Sequence, residues 1–208
     1  SLQANKHYNW LIVEGVSEKI YFEYFFKDEI TSHKIRILPL GGQNKVSEVY
    51  EYLNLPMREK TNLKGKVFCL IDTDLTRHKE HIKIGTDYLQ IRRLSNKNAN
   101  VPTELLTLEN PDTSPTDIEQ SLNPNIFKEV MDSLDILDKY KISTIENEKG
   151  NSSFIRNFKN LELEDFFKEN NGENKILFAK KYIEIMEKQE NIEELTPQWI
   201  SKIKKYFS

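Results

Sequence analysis

Three short apolar runs mark the first third of the chain. Residues 9–14 read NWLIVE and stop at Gly15, residues 35–40 read IRILPL and stop at Gly41-Gly42, and residues 66–71 read KVFCLI and stop at Asp72. Runs this short, continuously apolar and bounded by turn residues, predict strands covered on both faces. The segments between them change period. From Ser17 to about Ile30, Ile20, Tyr21, Tyr24 and Phe25 fall at helical spacing, with Ser17 as the cap. From about Asn44 to Leu53, Val46, Val49, Tyr50 and Leu53 share one helical face. Strand, helix, strand, helix, strand is the order of a parallel sheet with helices on both faces, whose chemistry gathers at the carboxyl ends of the strands.

Residues 87–94 and 103–109 alternate as strands do, around the polar loop SNKNANVP. A turn is expected at 111–116 and a helix start near Pro115-Thr116. Past residue 123 the pattern becomes helical, with amphipathic stretches at 124–140, 161–170, 175–190 and 196–207. Thr196 and Pro197 are placed as cap and first position of the last of these. The expected organisation is an α/β core over 7–122 and a mainly helical part over 123–208, which is either a second domain, an extension, or an insertion followed by a return to the core.

Composition narrows the function classes. Of 208 residues, 38% are hydrophobic, enough for a core, and 30 basic residues against 33 acidic ones give a net charge of −3. That balance argues against a passive, strongly basic nucleic-acid binder. No apolar run nears the roughly 20 residues of a membrane span. Cys69 is the only cysteine, which excludes a disulfide framework and a cysteine zinc site. The polar opening shows no signal-peptide pattern, so a cytoplasmic location is expected.

The acids are what the pattern singles out. Glu14 closes the first strand and Glu18 follows one helical turn later. Asp72 and Asp74 close the third as Asp-Thr-Asp, and Asp117 and Glu119 follow as Asp-Ile-Glu. Residues two apart on a strand end face the same way. If strands one and three are neighbours, Glu14 and the aspartate pair converge. One such acid by itself is ordinarily a helix cap or a solvated charge. Several together repel unless some hold protons or a cation neutralises them. With oxygen donors and no cysteine or histidine cluster, that cation is Mg²⁺ or Mn²⁺. Two such ions suit in-line attack on a phosphodiester, and would move the formal charge from −3 to about +1.

Other features carry weaker signals. Gly41-Gly42 is either a tight strand-to-helix turn or a place where helix amides meet a phosphate with Lys45 beside them. Arg77, His78, Lys79 and His81 are either phosphate contacts or an exposed polar loop. Arg92 and Arg93 point to opposite faces of a strand, so at most one faces a groove. The Tyr21–Phe26 aromatics read as packing. Lys202, Lys204 and Lys205 with Trp199 and Phe207 are either a nucleic-acid contact or, more ordinarily, an amphipathic helix with a core face and a wet face.

Leu11-Ile12-Val13-Glu14-Gly15-Val16-Ser17-Glu18 resembles the first motif of a Toprim domain, and Leu70-Ile71-Asp72-Thr73-Asp74 resembles the Toprim Asp-x-Asp. Glu14-Gly-x-x-Glu18, Leu38-Pro-Leu-Gly-Gly42, Asp72-x-Asp74 and Asp117-Ile-Glu119 together resemble the nuclease domain of OLD-family (overcoming lysogenization defect) endonucleases and related phage-defence nucleases. The resemblance implies a Rossmann-like Toprim fold and a two-metal endonuclease. Glu14, Asp72 and Asp74 would serve one Mg²⁺ or Mn²⁺, and Glu18, Asp117 and Glu119 the other. It also implies a catalytic lysine at the start of a late helix, for which Lys175 in Lys-Ile-Leu-Phe-Ala is the candidate and Lys149 the rival. Lys45, Arg77 and His78 are the candidate nucleic-acid contacts. DNA is the expected substrate. An RNA-cleaving effector, or a non-catalytic module binding nucleic acid or an ATPase, are the alternatives. OLD proteins carry an ATPase with Gly-x-x-x-x-Gly-Lys-Ser/Thr. Its absence from this sequence implies a fragment, a stand-alone Toprim protein or a separate ATPase partner, with a homo-oligomer also in view.

Overall fold

In the computed structural model, which describes residues 9–32, 34–59, 65–73, 86–96, 103–110, 115–136 and 161–208, the three apolar runs become adjacent parallel strands. They are β1 (Asn9–Val13), β2 (Ile35–Pro39) and β3 (Val67–Ile71), joined by β4 (Leu89–Ser95) and β5 (Glu104–Leu106) in the order β2-β1-β3-β4-β5. The first four are mutually parallel and β5 runs antiparallel to β4. In register, Leu11 lies between Ile37 and Phe68, and Cys69 lies beside Ile91. From β1 the chain winds first to one side, into β2, and then to the other, into β3. The crevice at the carboxyl ends of β1 and β3 is therefore a topological switch point, where open α/β sheets bind ligands.

Strand alternation sorts the core into two layers. Leu11, Val13, Phe68, Leu70 and Leu94 pack with α1 (Val16–Phe25) and with the later helices α4 (Pro124–Ser133), α6 (Glu173–Met186) and α8 (Gln198–Phe207). Ile12, Cys69, Ile71 and Ile91 pack under Val46 and Tyr50 of α3 (Gln43–Glu59). The mostly parallel sheet with helices on both faces and a helical C-terminal part is the fold class read from the sequence. The apolar packing crosses residue 122: Phe22 meets Trp199 edge-on at 5.9 Å, and Tyr21 meets Tyr182 at 5.6 Å. No described helix is long and apolar enough to cross a membrane.

Local details differ from expectation where a tertiary contact decides. The helix from Ser17 divides at Phe26 into α1 and the short α2 (Lys27–Thr31). Ser17 does not cap it: Gly15 holds that position, and the buried Ser17 hydroxyl donates to Glu18 Oε2 at 3.0 Å. Near Pro115 there is no α-helix start. Thr116 is drawn into an extended bridge with Thr73, and only one 3-10 turn, Ile118–Ser121, follows. Thr196 does not cap α8. Its hydroxyl donates to Ile192 O at 2.8 Å and closes α7 (Ile192–Leu195), leaving Pro197 at the cap position. The expected strand 103–109 shrinks to β5. The stretch 161–170 is α5 (Leu161–Lys168) and a turn, and residues 137–140 lie outside the described set.

The start of α4 is fixed by Asn123, whose side chain accepts from the amides of Asn125 at 3.0 Å and Ile126 at 3.3 Å, with Pro124 following. Asn123→Ala is expected to cost about 1 kcal/mol, read as a lower urea midpoint at unchanged slope.

Candidate functional site

Glu14 follows directly on β1 and Asp72 on β3. Because those strands are neighbours, the Asp72 amide donates to Glu14 Oε1 at 2.8 Å. The backbone at Glu14 is held from the β2 side. Gly41 and Gly42, with φ of 80° and 131°, turn their amides onto the Glu14 carbonyl at 2.6 and 2.9 Å. Those conformations need glycine, and the pair acts as a strand-to-helix turn that clasps Glu14, its two amides already taken. Lys45 is exposed in the first turn of α3; its ammonium would lie 3.6 Å from a Cβ on Gly41. Gly15 makes room for the next acid, since a Cβ there would stand 2.9 Å from Glu18 Oε2.

The third acidic segment arrives through the Thr73–Thr116 bridge. Asp117 precedes the 3-10 turn, its amide donating to Gln120 Oε1 at 3.0 Å, and Glu119 lies inside the turn. Glu119 is 1% exposed, and neither carboxylate oxygen has a hydrogen-bond partner among the described residues. Lys175 comes from the first turn of α6, after Asn170, Asn171 and Gly172 reverse the chain in left-handed conformations. Its ammonium lies 3.3 Å from Glu119 Oε2 and 3.8 Å from Glu18 Oε1.

Electrostatics records this crowding. Burial raises Asp72 well above the usual carboxylate range; Lys175 opposes that, while Glu14, Asp117 and Glu18 add to it. Burial pushes Glu119 up to about 7, Lys175 again opposing and Glu18 and Asp117 adding. Lys175 shows the converse. Burial works against its charge, yet Glu119, Glu18, Asp72 and Asp117 hold it well above the usual lysine value. The cluster therefore has more negative charge than Lys175 balances.

The structure thus brings Glu14, Glu18, Asp72, Asp117, Glu119 and Lys175 to one end of the sheet. Asp74, Arg77, His78 and Lys149 lie outside the described residues, as do Lys79 and His81. Among the described residues no three acid, histidine or cysteine side chains already stand close enough to share an ion; the Lys175 ammonium lies among them instead. The donor chemistry nevertheless fits a hard divalent cation. All donors are oxygens, the two of Glu119 are buried beside the Lys175 ammonium, and their charge is in excess.

Two core aromatics, Trp199, read from the sequence as part of an amphipathic helix, and Tyr182, not singled out there, do more than pack. The Trp199 indole donates to Ser121 O at 2.7 Å, and the Tyr182 hydroxyl accepts from the Asn123 amide at 3.2 Å. They hold the far end of the acidic turn across 78 and 59 residues of sequence. Nothing in the local pattern distinguishes them from other core aromatics.

Residues 8–74 match the family model described as overcoming lysogenization defect protein-like, TOPRIM domain. That span runs from the start of β1 to the second aspartate of Asp72-Thr73-Asp74. No curated protein and no solved structure gives a match.

Proposed function

We propose, on the premise that residues 8–74 carry a Toprim domain resembling the nuclease domains of the OLD family, that this chain is a divalent-metal-dependent endonuclease cleaving DNA. An OLD-like Toprim domain already points to metal-dependent nucleic-acid chemistry. The observation that carries the finer reading is the Asp72 amide bonded to Glu14 Oε1 at the switch point, with Glu18, Asp117 and Glu119 crowding the same crevice.

In this reading Glu14, Asp72 and Asp74 hold one Mg²⁺ or Mn²⁺, and Glu18, Asp117 and Glu119 a second. Such ions supply Lewis-acid activation of water and neutralise charge at the phosphate. In the same reading Lys175 donates to a phosphate oxygen as negative charge develops. Its pairing with Glu119 and Glu18 keeps it protonated and aimed at the crevice. Lys45, Arg77 and His78 would contact the flanking backbone, which positions a strand without reading its sequence. A defence role, and an ATPase supplied by a longer chain or by a partner, follow from the same resemblance as proposals.

The test is nicking of supercoiled plasmid by the purified chain with Mg²⁺, Mn²⁺ or EDTA, beside a structured RNA of similar length. The expected result is metal-dependent nicking of DNA. Cleavage of RNA alone would move the substrate assignment, and cleavage undiminished by EDTA would overturn the metal-dependent mechanism.

A further inference from the structure

The middle residue of Asp72-Thr73-Asp74 is 2% exposed and fully engaged. Thr73 exchanges both backbone hydrogen bonds with Thr116, at 3.0 and 2.9 Å. Its hydroxyl donates to Leu94 O and accepts from Arg93 Nη1 at 3.1 Å. Arg93 is itself 3% exposed on β4, with Nη2 donating to Asn110 O at 2.7 Å. The partner side is fastened to the same strand end. Thr116 Oγ1 accepts from the Asn96 amide at 3.0 Å, and Asn96 Nδ2 donates to Gln120 O at 2.9 Å.

This bridge has a consequence for register. An antiparallel Thr73–Thr116 pair sets Asp72 directly opposite Asp117. Alternation buries the two threonines on one side and turns the two aspartates to the other. Like charges directly opposite are destabilising, so the pairing must be imposed from outside. A buried guanidinium is also a poor way to gain stability, because an apolar side chain of similar volume ordinarily does as well or better. We infer that Arg93 is a positioning residue. Acting through Thr73, it clamps the Asp-x-Asp segment to the Asp117–Glu119 turn and holds Asp72 and Asp117 facing one another at the ion centre. The inference rests on the ion-centre reading above.

Calorimetric titration of Mn²⁺ into the full chain, without nucleic acid, tests it. Thr73→Val keeps the shape and removes the hydroxyl, and is expected to weaken Mn²⁺ binding about 10- to 100-fold, the usual cost of losing a group that orients a ligand. Thr73→Ser keeps the hydroxyl and should bind within about three-fold of wild type, a fraction of that loss. Ile203→Val, which trims the core in α8, should lower the melting temperature without changing the affinity. Arg93→Lys cannot reach the Thr73 hydroxyl and the Asn110 carbonyl at once and should weaken binding; it decides the matter with Thr73→Ser if Thr73→Val does not fold. Wild-type affinity in folded Thr73→Val, or in Arg93→Lys, would overturn the clamp alone. Absence of Mn²⁺ binding by the wild type would overturn the ion centre and the clamp with it.

Discussion

Lys175→Met should destabilise the metal-free protein by about 3 kcal/mol at about pH 8, the low end of what removing one partner of a buried ion pair costs. Lys175 is 29% exposed, while Glu18 and Glu119 are nearly fully buried, so the substitution leaves carboxylates, not an ammonium, without compensation. The effect has a definite pH dependence. Asp72 and Glu119 have folded-state values above their ordinary ones, Glu119 at about 7. Groups raised in this way bind more protons folded than unfolded. The stability they contribute is complete below the ordinary carboxylate range and is lost as the pH rises through the folded value. The metal-free wild type should therefore lose stability between about pH 5 and 8. Lys175→Met, which removes the group opposing these shifts, should lose more. Near pH 5, where the carboxylates take up protons, the two melting curves should approach each other. Glu119→Gln should flatten the wild-type dependence. Melting curves against pH, recorded in EDTA, decide it. A gap that is the same at both ends of the range would mean that Lys175 is a surface lysine whose charge the cluster does not need.

Asp72→Asn should lower metal-dependent cleavage on the order of 1,000-fold, the upper range for losing one preorganised electrostatic group. The amide keeps the size of the side chain, and the Asp72 backbone N–H still reaches Glu14. Removing a raised, crowded carboxylate should also leave the melting temperature in EDTA unchanged or higher, since burial and the neighbouring acids already work against its charge. Loss of activity together with retained stability is the signature of a residue placed for chemistry at a cost to the fold. A variant that cleaves like wild type would remove Asp72 from the site.

The strand core was legible because β1 and β3 are apolar on both faces, while the edge strand β2 keeps a short mostly apolar run despite the exposed Arg36 and Leu38, and each run stops at a turn or an acid. A covered parallel strand shows just that pattern. Glu14 and Asp72 were legible for the same reason, as strand-end positions in a sheet whose winding brings β1 beside β3. The placing of Asp117 and Glu119 was only half legible. The pair was visible as Asp-Ile-Glu, but the element carrying it was read as a helix start. A single antiparallel bridge between Thr73 and Thr116 has no periodicity, and its stability comes from Arg93 and Leu94 on β4 and from Asn96 just after it. Arg93 itself reads only as one of two arginines on opposite strand faces, at most one of them facing a groove. Lys175 stood out only by family resemblance. Among 30 basic residues, its distinction is that a left-handed turn at Asn170, Asn171 and Gly172 aims the start of α6 at buried acids. Caps failed similarly: Ser17 and Thr196 are good cap residues whose hydroxyls found nearer partners in Glu18 and in the Ile192 carbonyl.

Anomalous diffraction from crystals soaked in Mn²⁺ tests the central claim most directly. The account predicts manganese at the carboxyl ends of β1 and β3, bound by Glu14 and Asp72, with Asp117 or Glu119 in the same crevice and the Lys175 ammonium moved away from the carboxylates the ion takes over. Manganese bound only elsewhere, with Lys175 still paired to Glu18 and Glu119, would contradict it.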